Sequence, residues 1–390
     1  MSYSRREFGK LALAGLPAAA VLGRAESLFG AFAQAKPNSL INGVQIGAIT
    51  YSFREMPDQS AEATLKYILD SGLSAVEIMG GPVESFAGIP RAEGGGGRGG
   101  GRAGGPGGGR GRGGAADEIP KRGSWNGAAC VLPEDAAAAA RAAGGDAGRG
   151  RGTPAEPTPE QQAAQAARQE LQKKIKDWRT SVSMDPFKKL RKMYNDAGVT
   201  IYAWKQLSTN MSDEEFEYIF NVAEALGCTH TTLELPTDPA QLKRIGDFAM
   251  KKKIYAAYHT HLQGTMTAFD QAFAASPGNM ANVDFGHFVA GGNVGGTSMQ
   301  FLEKFHDRIA SFHIKDRTTP EHCALNLPWG TGETPIKEIL QLVRKNKWKI
   351  PASVELEYAI PEGSDPVQEV RKCVEYCKAA LNAPMTTASR

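Results

Sequence analysis

The chain has 390 residues, 41% of them hydrophobic and 22% charged, with a net charge of only +3. That length carries one large domain or two ordinary ones, and the composition is that of a soluble globular protein. So small a net charge argues against a dedicated nucleic-acid binder.

The N-terminus reads "SRREFGKLALAGLPAAAVLG", with Arg5 and Arg6 paired ahead of Phe8 and Lys10 and an apolar Ala/Leu/Gly run behind them. "AFAQA" then offers small residues at A-x-A spacing, Ala31 with Ala33 or Ala33 with Ala35. This is the pattern of a twin-arginine export signal, residues 1–35, cleaved near Ala33 or Ala35. It implies a periplasmic protein, with no stable membrane insertion after cleavage. The run is short for an uncleaved anchor, and no other segment is apolar enough to span a bilayer. The five cysteines, Cys130, Cys228, Cys323, Cys373 and Cys377, follow no metal-type spacing. Cys373 and Cys377 lie one helical turn apart and are expected in the core or on a helix face.

From residue 40 onward, short apolar or β-branched runs alternate with amphipathic stretches of helix length. Strands are expected at 44–50, 74–79, 199–204, 229–235, 254–259, 282–286, 308–314 and 351–357. Helices are expected between them, at 60–72, in "PEQQAAQAARQELQKKIKDWRTS" and "MDPFKKLRKMYNDAG", in "SDEEFEYIFNVAEALG" with Ser212 and Glu215 as a capping box, in "DPAQLKRIGDFAMKKK", at 334–347, and last in "DPVQEVRKCVEYCKAAL". After the second strand comes a low-complexity insertion, about residues 91–160. Between 91 and 152 it holds about half of all glycines, and ten Lys or Arg against six Asp or Glu. It lacks the apolar residues that would offset ordering entropy and is expected to be a disordered loop leaving the catalytic face. It has no G-K-[ST] ending, so it is no P-loop. Eight alternating strands and helices over 36–390, without a glycine fingerprint after the first strand, indicate an α/β (β/α)8 TIM barrel rather than a doubly wound sheet.

Active sites of such barrels lie at the C-terminal ends of the strands. The second strand offers Glu77 there, the fourth ends in Glu234, and the fifth in His259 and His261. Asp284 and His287 end the sixth, His313 with Lys315 and Asp316 the seventh, and Glu355 and Glu357 the eighth. Carboxylates and imidazoles converging on one mouth need a cation to hold them, and without cysteine they suit Mn²⁺, Mg²⁺, Co²⁺ or Zn²⁺.

The strand ends "LELP", "VDFGH", "SFHIKD" and "SVELEY", in that order, resemble the sugar phosphate isomerase/epimerase family with the xylose-isomerase-like TIM barrel. "TYSFR", "YAWK" and "WGTGETPIKEIL" resemble it too, so that the likeness covers roughly 40–85 and 180–385. The resemblance implies one divalent metal held by Glu234, Asp284, His313 and Glu355, with Glu357 the alternative to Glu355. It implies Glu234 and Glu355 as the proton-transferring pair, beside a metal that stabilises an enediolate. Lys315 is the candidate for neutralising a developing oxyanion or pairing with a carboxylate, and Asp316 for holding Lys315 or the following loop; the other expectation for the two is a structural pair at the rim. His261 and His287 are expected at substrate hydroxyls, and Trp204 or Phe53 at an apolar wall. The implied function is a metal-dependent sugar isomerase or epimerase. Export favours a non-phosphorylated or oxidised sugar as the small-molecule partner, and no nucleic acid. Two other functions fit the same residues: a periplasmic 3-keto-glycoside lyase or hydratase, and a carbohydrate-binding barrel without chemistry. An apurinic-site endonuclease shares the architecture but fits neither the export signal nor the near-neutral charge.

Overall fold

Eight short parallel strands close on themselves. The structure, a computed structural model, describes residues 36–92, 124–126, 128–130 and 158–384. The expected export signal and most of the low-complexity insertion therefore lie outside the described residues. The strands are β1 (Val44–Ile49), β2 (Ala75–Met79), β3 (Thr200–Lys205), β4 (His230–Glu234), β5 (Tyr255–His259), β6 (Asn279–Asp284), β7 (Ile309–Ile314) and β8 (Ala352–Val354). Each pairs in parallel with the next, and β8 pairs with β1, so the sheet has no open edge. This is the (β/α)8 barrel that the alternating pattern predicts.

The helices stand where amphipathic stretches and caps put them. They are α1 (Ala61–Asp70), α2 (Gly80–Phe86), α3 (Pro159–Ser181), α4 (Asp185–Asp196), α5 (Asp213–Leu226), α6 (Pro239–Lys252), α7 (Asp270–Ala275), α8 (Phe285–Ala290), α9 (Ser298–Phe305), α10 (Ile336–Asn346) and α11 (Pro366–Asn382). Glu215 accepts the Ser212 N–H at 3.1 Å ahead of α5, as the capping box requires. Among the described residues no helix is long and apolar enough to cross a membrane.

Strand alternation sends one set of side chains outward and one inward. The outward set, including Ile46, Ile78, Ile201, Leu233, Tyr258, Val283, Phe312 and Val354, makes the apolar core against the helices. The inward set is polar. His230, Thr232, Asn282, Ser311 and Ser353 fill the barrel, all fully buried. Barrel interiors are usually filled by branched apolar residues. Gly47 is needed on β1 because Tyr202 crosses the interior, where a Cβ at 47 would stand 2.8 Å from its ring.

Two details decide which side chains reach the mouth. The pairing of β2 with β3 shifts by one residue between Val76↔Ile201 and Glu77↔Ala203. This bulge reverses the facing of everything after it, so Lys205 turns in and Trp204 turns out. At the other end, β8 leaves the ladder after Val354, short of the expected 357. The Ser52 hydroxyl donates to Val354 O at 3.1 Å and accepts from Leu356 N–H at 3.0 Å, replacing ladder bonds.

The insertion falls between α2 and α3, as expected, and α3 is clamped back onto the barrel by a buried fork. Arg179 donates to Glu84 through Nε at 2.9 Å and Nη2 at 3.1 Å. Gln206 and Tyr218 also donate to Glu84, at 2.9 and 3.1 Å. A disulfide joins Cys130, within the insertion, to Cys323 on the loop after β7. Cys228, Cys373 and Cys377 are free and buried.

Candidate metal centre

Four buried side chains from four consecutive registers meet at the C-terminal mouth. His259 ends β5, Asp284 ends β6, His313 is the penultimate residue of β7, and Glu355 follows β8. One donor atom from each lies within 4.8 Å of the others. In the ladder His313 stands opposite Asp284, so the two reach the mouth at one level.

Each member is held from behind. His313 Nε2 lies 2.7 Å from Glu77 Oε2, and its Nδ1 lies 3.0 Å from Glu355 Oε2. Thr232 donates to the other Glu77 oxygen at 2.7 Å. His259 Nδ1 lies 3.0 Å from Asn282 Oδ1, which leaves its Nε2 toward the mouth. The Asp284 Oδ1 oxygen accepts the His287 backbone N–H at 2.7 Å. Its Oδ2 is buried with no hydrogen-bond partner. Lys315 Nζ stands 3.0 Å from that oxygen, an ion pair by distance but without hydrogen-bonding alignment. The same ammonium lies 2.8 Å from Glu355 and 2.6 Å from Glu357. Gly286 lets the lysine pass, since a Cβ there would stand 2.2 Å from Lys315 Cγ.

The charges follow from this packing. Burial pushes the His313 imidazole down, but Glu77 and then Glu355 outweigh it and raise it to about 10. Burial drives Asp284 up against the pull of Lys315. Burial also opposes ionisation of Glu355, yet Lys315 and His313 hold it well below the usual carboxylate range. Burial, reinforced by the charge of Lys205, keeps His259 neutral. Burial likewise keeps His287 neutral, with Lys315 and Arg317 adding to it.

Two imidazoles and two carboxylates, one of them with an oxygen lacking any aligned donor, make a donor set that fits a divalent cation. His259, Asp284, His313 and Glu355 are the residues that would hold it. Glu77 behind His313 and Asn282 behind His259 are the outer partners that metal-binding histidines usually have.

Of the ligands implied by resemblance, the structure brings Asp284, His313 and Glu355 together. Glu234 stands apart. Its half-exposed carboxylate pairs with Lys205 at 2.9 Å and with His261 at 3.4 Å, both on the rim. His259 takes the fourth place, because its imidazole lies one strand closer to Asp284. Glu357 faces Lys315 and lies 3.8 Å from His287 Nε2. His261 and His287 do reach the mouth, with ring centroids 4.9 Å apart. Trp204 and Phe53 do not wall it. The β3 bulge sends Trp204 into the outer core against Tyr218, and Phe53 packs there against Tyr67. Of the two roles expected for Asp316, holding Lys315 or the following loop, it takes the second: it accepts the N–H groups of Gly330, Gly332 and Thr334 and fixes the "WGTGE" loop. Lys205, Arg317 and Asn282 are site residues that strand-end reading missed. Asn282 carried a signal, two residues before Asp284 on the same strand face, and Lys205 closes the quoted "YAWK".

No family model matches the chain, and no curated protein matches it. Solved structures match along most of its length. A sugar phosphate isomerase/epimerase from Parabacteroides distasonis is 16% identical, with a TM-score of 0.47, over 90% of this chain and 96% of that one. A xylose isomerase domain protein from Alicyclobacillus acidocaldarius is 12% identical, with a TM-score of 0.48, over 87% and 100%. A probable 3-DHS dehydratase from Bacillus anthracis is 11% identical, with a TM-score of 0.48, over 85% and 99%. The structural neighbours are thus xylose isomerase-like and sugar isomerase/epimerase-type proteins, at identities that leave the site to be judged on its own residues.

Proposed function

We propose that this protein is a divalent-metal-dependent sugar isomerase or epimerase that moves a proton on a carbon next to a carbonyl. The observation that carries this is the group His259, Asp284, His313 and Glu355, closed over a buried carboxylate oxygen with no aligned donor. A cation bound there would supply Lewis-acid polarisation of a sugar carbonyl. The protein's own groups supply the rest. Glu234 on β4 and Glu355 on β8 stand four strands apart in an eight-strand ring, on opposite sides of the mouth. A sugar between them meets a carboxylate on each face, the arrangement that abstraction from one side and return from the other requires. Lys315 stabilises negative oxygen beside Asp284 and Glu355. His261 and His287 offer ring nitrogens to hydroxyls.

The protein acts, in this proposal, on a free or oxidised sugar in the periplasm. The Cys130–Cys323 bridge supports that location, since such bonds persist in oxidising compartments. The test is proton exchange. The Mn²⁺-loaded protein is incubated in D₂O with keto- and aldo-sugars and, separately, with 3-keto-glycosides, and followed by proton NMR. Deuterium entering beside the carbonyl without loss of a substituent, abolished in His313→Ala, supports isomerase chemistry. Release of the C1 substituent from keto-glycosides replaces it with the lyase function. No exchange with any substrate by loaded protein contradicts both.

A further inference from the structure

His287 stands at the mouth with one ring nitrogen engaged and the other idle. Its Nδ1 lies 2.6 Å from Arg317 Nη1. Its Nε2 is buried without a hydrogen-bond partner, and Glu357 Oε2 stands 3.8 Å from it, beyond bonding reach. Arg317 and His287 are both more than nine-tenths buried. The loop after β7 holds the arginine in place. Arg317 Nη2 donates to Ala324 O at 2.6 Å, and the Arg317 backbone N–H donates to Thr334 Oγ1 at 3.0 Å. Cys323 and Ala324 both take up left-handed backbone there, at φ 74° and 46°, a conformation that residues other than glycine rarely adopt. Among the described residues no carboxylate pairs with this guanidinium, whose two close acceptors are both neutral, and its Nε has no partner.

The contact between Arg317 and His287 has one polarity. A guanidinium carries donors only and keeps its charge in proteins. His287 Nδ1 must therefore accept, which makes it the bare nitrogen of the ring. A doubly protonated ring would set N–H against N–H at that distance. A ring turned over would set a carbon-bound hydrogen against the guanidinium and lose the bond. The one ring proton is then on Nε2. His287 thus faces the mouth as a donor, and the group beside it, Glu357 Oε2, is an acceptor. The Glu357 side chain is about a fifth exposed, so this pair opens toward solvent. A sugar hydroxyl answers both groups at once, since its oxygen can accept from Nε2–H while its proton goes to the carboxylate.

We propose that Arg317 is a positioning residue that fixes His287 as its Nε2–H tautomer, and that His287 Nε2 and Glu357 Oε2 form a donor–acceptor seat for one hydroxyl of the substrate. The seat rests on the sugar chemistry proposed above; the tautomer does not. The proposal explains why an arginine is buried here with neutral partners only, where an unpaired charge is costly. It also makes the seat selective, because an analogue without that hydroxyl leaves a buried donor unanswered.

The test reads both levels. Ring ¹⁵N spectra of the metal-free protein report which nitrogen of each histidine is protonated, and the His287 signals are those that His287→Gln removes. The wild type is expected to show His287 with a protonated Nε2 and a bare Nδ1. Arg317→Lys, again a donor without an acceptor, should keep that tautomer. Arg317→Met, which cannot donate, should mix the two tautomers. Arg317→Gln, whose amide donates or accepts, serves the same purpose if the methionine variant does not fold. The second readout is D₂O exchange with the sugar that the Mn²⁺-loaded protein turns over. Arg317→Met should raise KM by about 10-fold, the worth of one hydrogen bond, with a smaller change in kcat, and Arg317→Lys should recover most of it. One monodeoxy analogue of that sugar should bind the wild type more weakly and show no such loss in Arg317→Met. A wild-type His287 protonated on Nδ1, or an unchanged spectrum in Arg317→Met, overturns the proposal. An unchanged KM in a variant with mixed tautomers overturns the seat. The expected spectra in a protein that turns over no sugar uphold the tautomer and overturn the sugar chemistry, and with it the seat.

Discussion

Lys315→Met is expected to destabilise the metal-free protein strongly and the metal-loaded protein hardly at all. The lysine ammonium is almost wholly buried and lies 3.0 Å from Asp284, 2.8 Å from Glu355 and 2.6 Å from Glu357. Glu357 is about a fifth exposed, so its share is screened, and the estimate rests on the two buried partners. Methionine keeps most of the side chain's volume but leaves Asp284 and Glu355 with one fewer cation. Removing one partner from a buried ion pair costs about 3–5 kcal/mol, because the remaining charge is left uncompensated. At roughly 2–4 °C per kcal/mol, that lowers the melting temperature by on the order of 10 °C. A divalent cation beside the same carboxylates restores the missing charge and binds the variant, where no ammonium opposes it, more tightly than the wild type; saturation stabilises each protein by RT ln(1 + [L]/Kd), so the tighter Kd closes the gap. The assay is thermal unfolding of wild type and variant in EDTA and in saturating Mn²⁺. The gap between the two should be wide in EDTA and nearly closed in Mn²⁺. Equal melting temperatures in EDTA would refute the view that Lys315 is the counter-charge of the empty-handed carboxylates.

Four further outcomes are expected. With His313 raised from 6.5 to about 10 in the metal-free protein, its stabilisation is complete below pH 6.5 and is lost as pH climbs toward 10; melting in EDTA should fall across that window, and His313→Gln should flatten the slope. For the same reason metal binding near pH 7.5 should release about one proton, read by calorimetry in buffers of different ionisation heat. Arg179→Met strips Glu84 of its bidentate partner, both ends buried, and should cost about 3–5 kcal/mol in unfolding experiments without changing metal affinity. Non-reducing peptide mapping should recover Cys130 linked to Cys323, while a thiol reagent finds Cys228, Cys373 and Cys377 only after denaturation, since burial raises all three thiols.

The barrel was legible because its signals are local. Each strand is a short apolar run, most long helices carry a side-chain cap, and the order of both allows few topologies. The site was legible only as far as strand alternation holds. Asp284, His313 and Glu355 stand near regular strand ends and meet as the resemblance implies. Trp204 does not, because a one-residue bulge ahead of it reverses the strand and no residue type in "VTIYAW" announces that. His259 and Glu234 are register neighbours at the ends of β5 and β4, and sequence cannot say which leans in. Lys205 decides it by drawing Glu234 to the rim. The Cys130–Cys323 pairing spans 193 residues, so no spacing rule reaches it.

The most direct measurement is the metal content and Co²⁺ affinity of the purified protein beside His259→Ala and Glu234→Ala. About one equivalent of divalent metal in the wild type, lost in His259→Ala and largely kept in Glu234→Ala, is the result predicted by the four-residue centre. A wild type that neither carries nor takes up divalent metal, or a centre lost in Glu234→Ala and intact in His259→Ala, would contradict it.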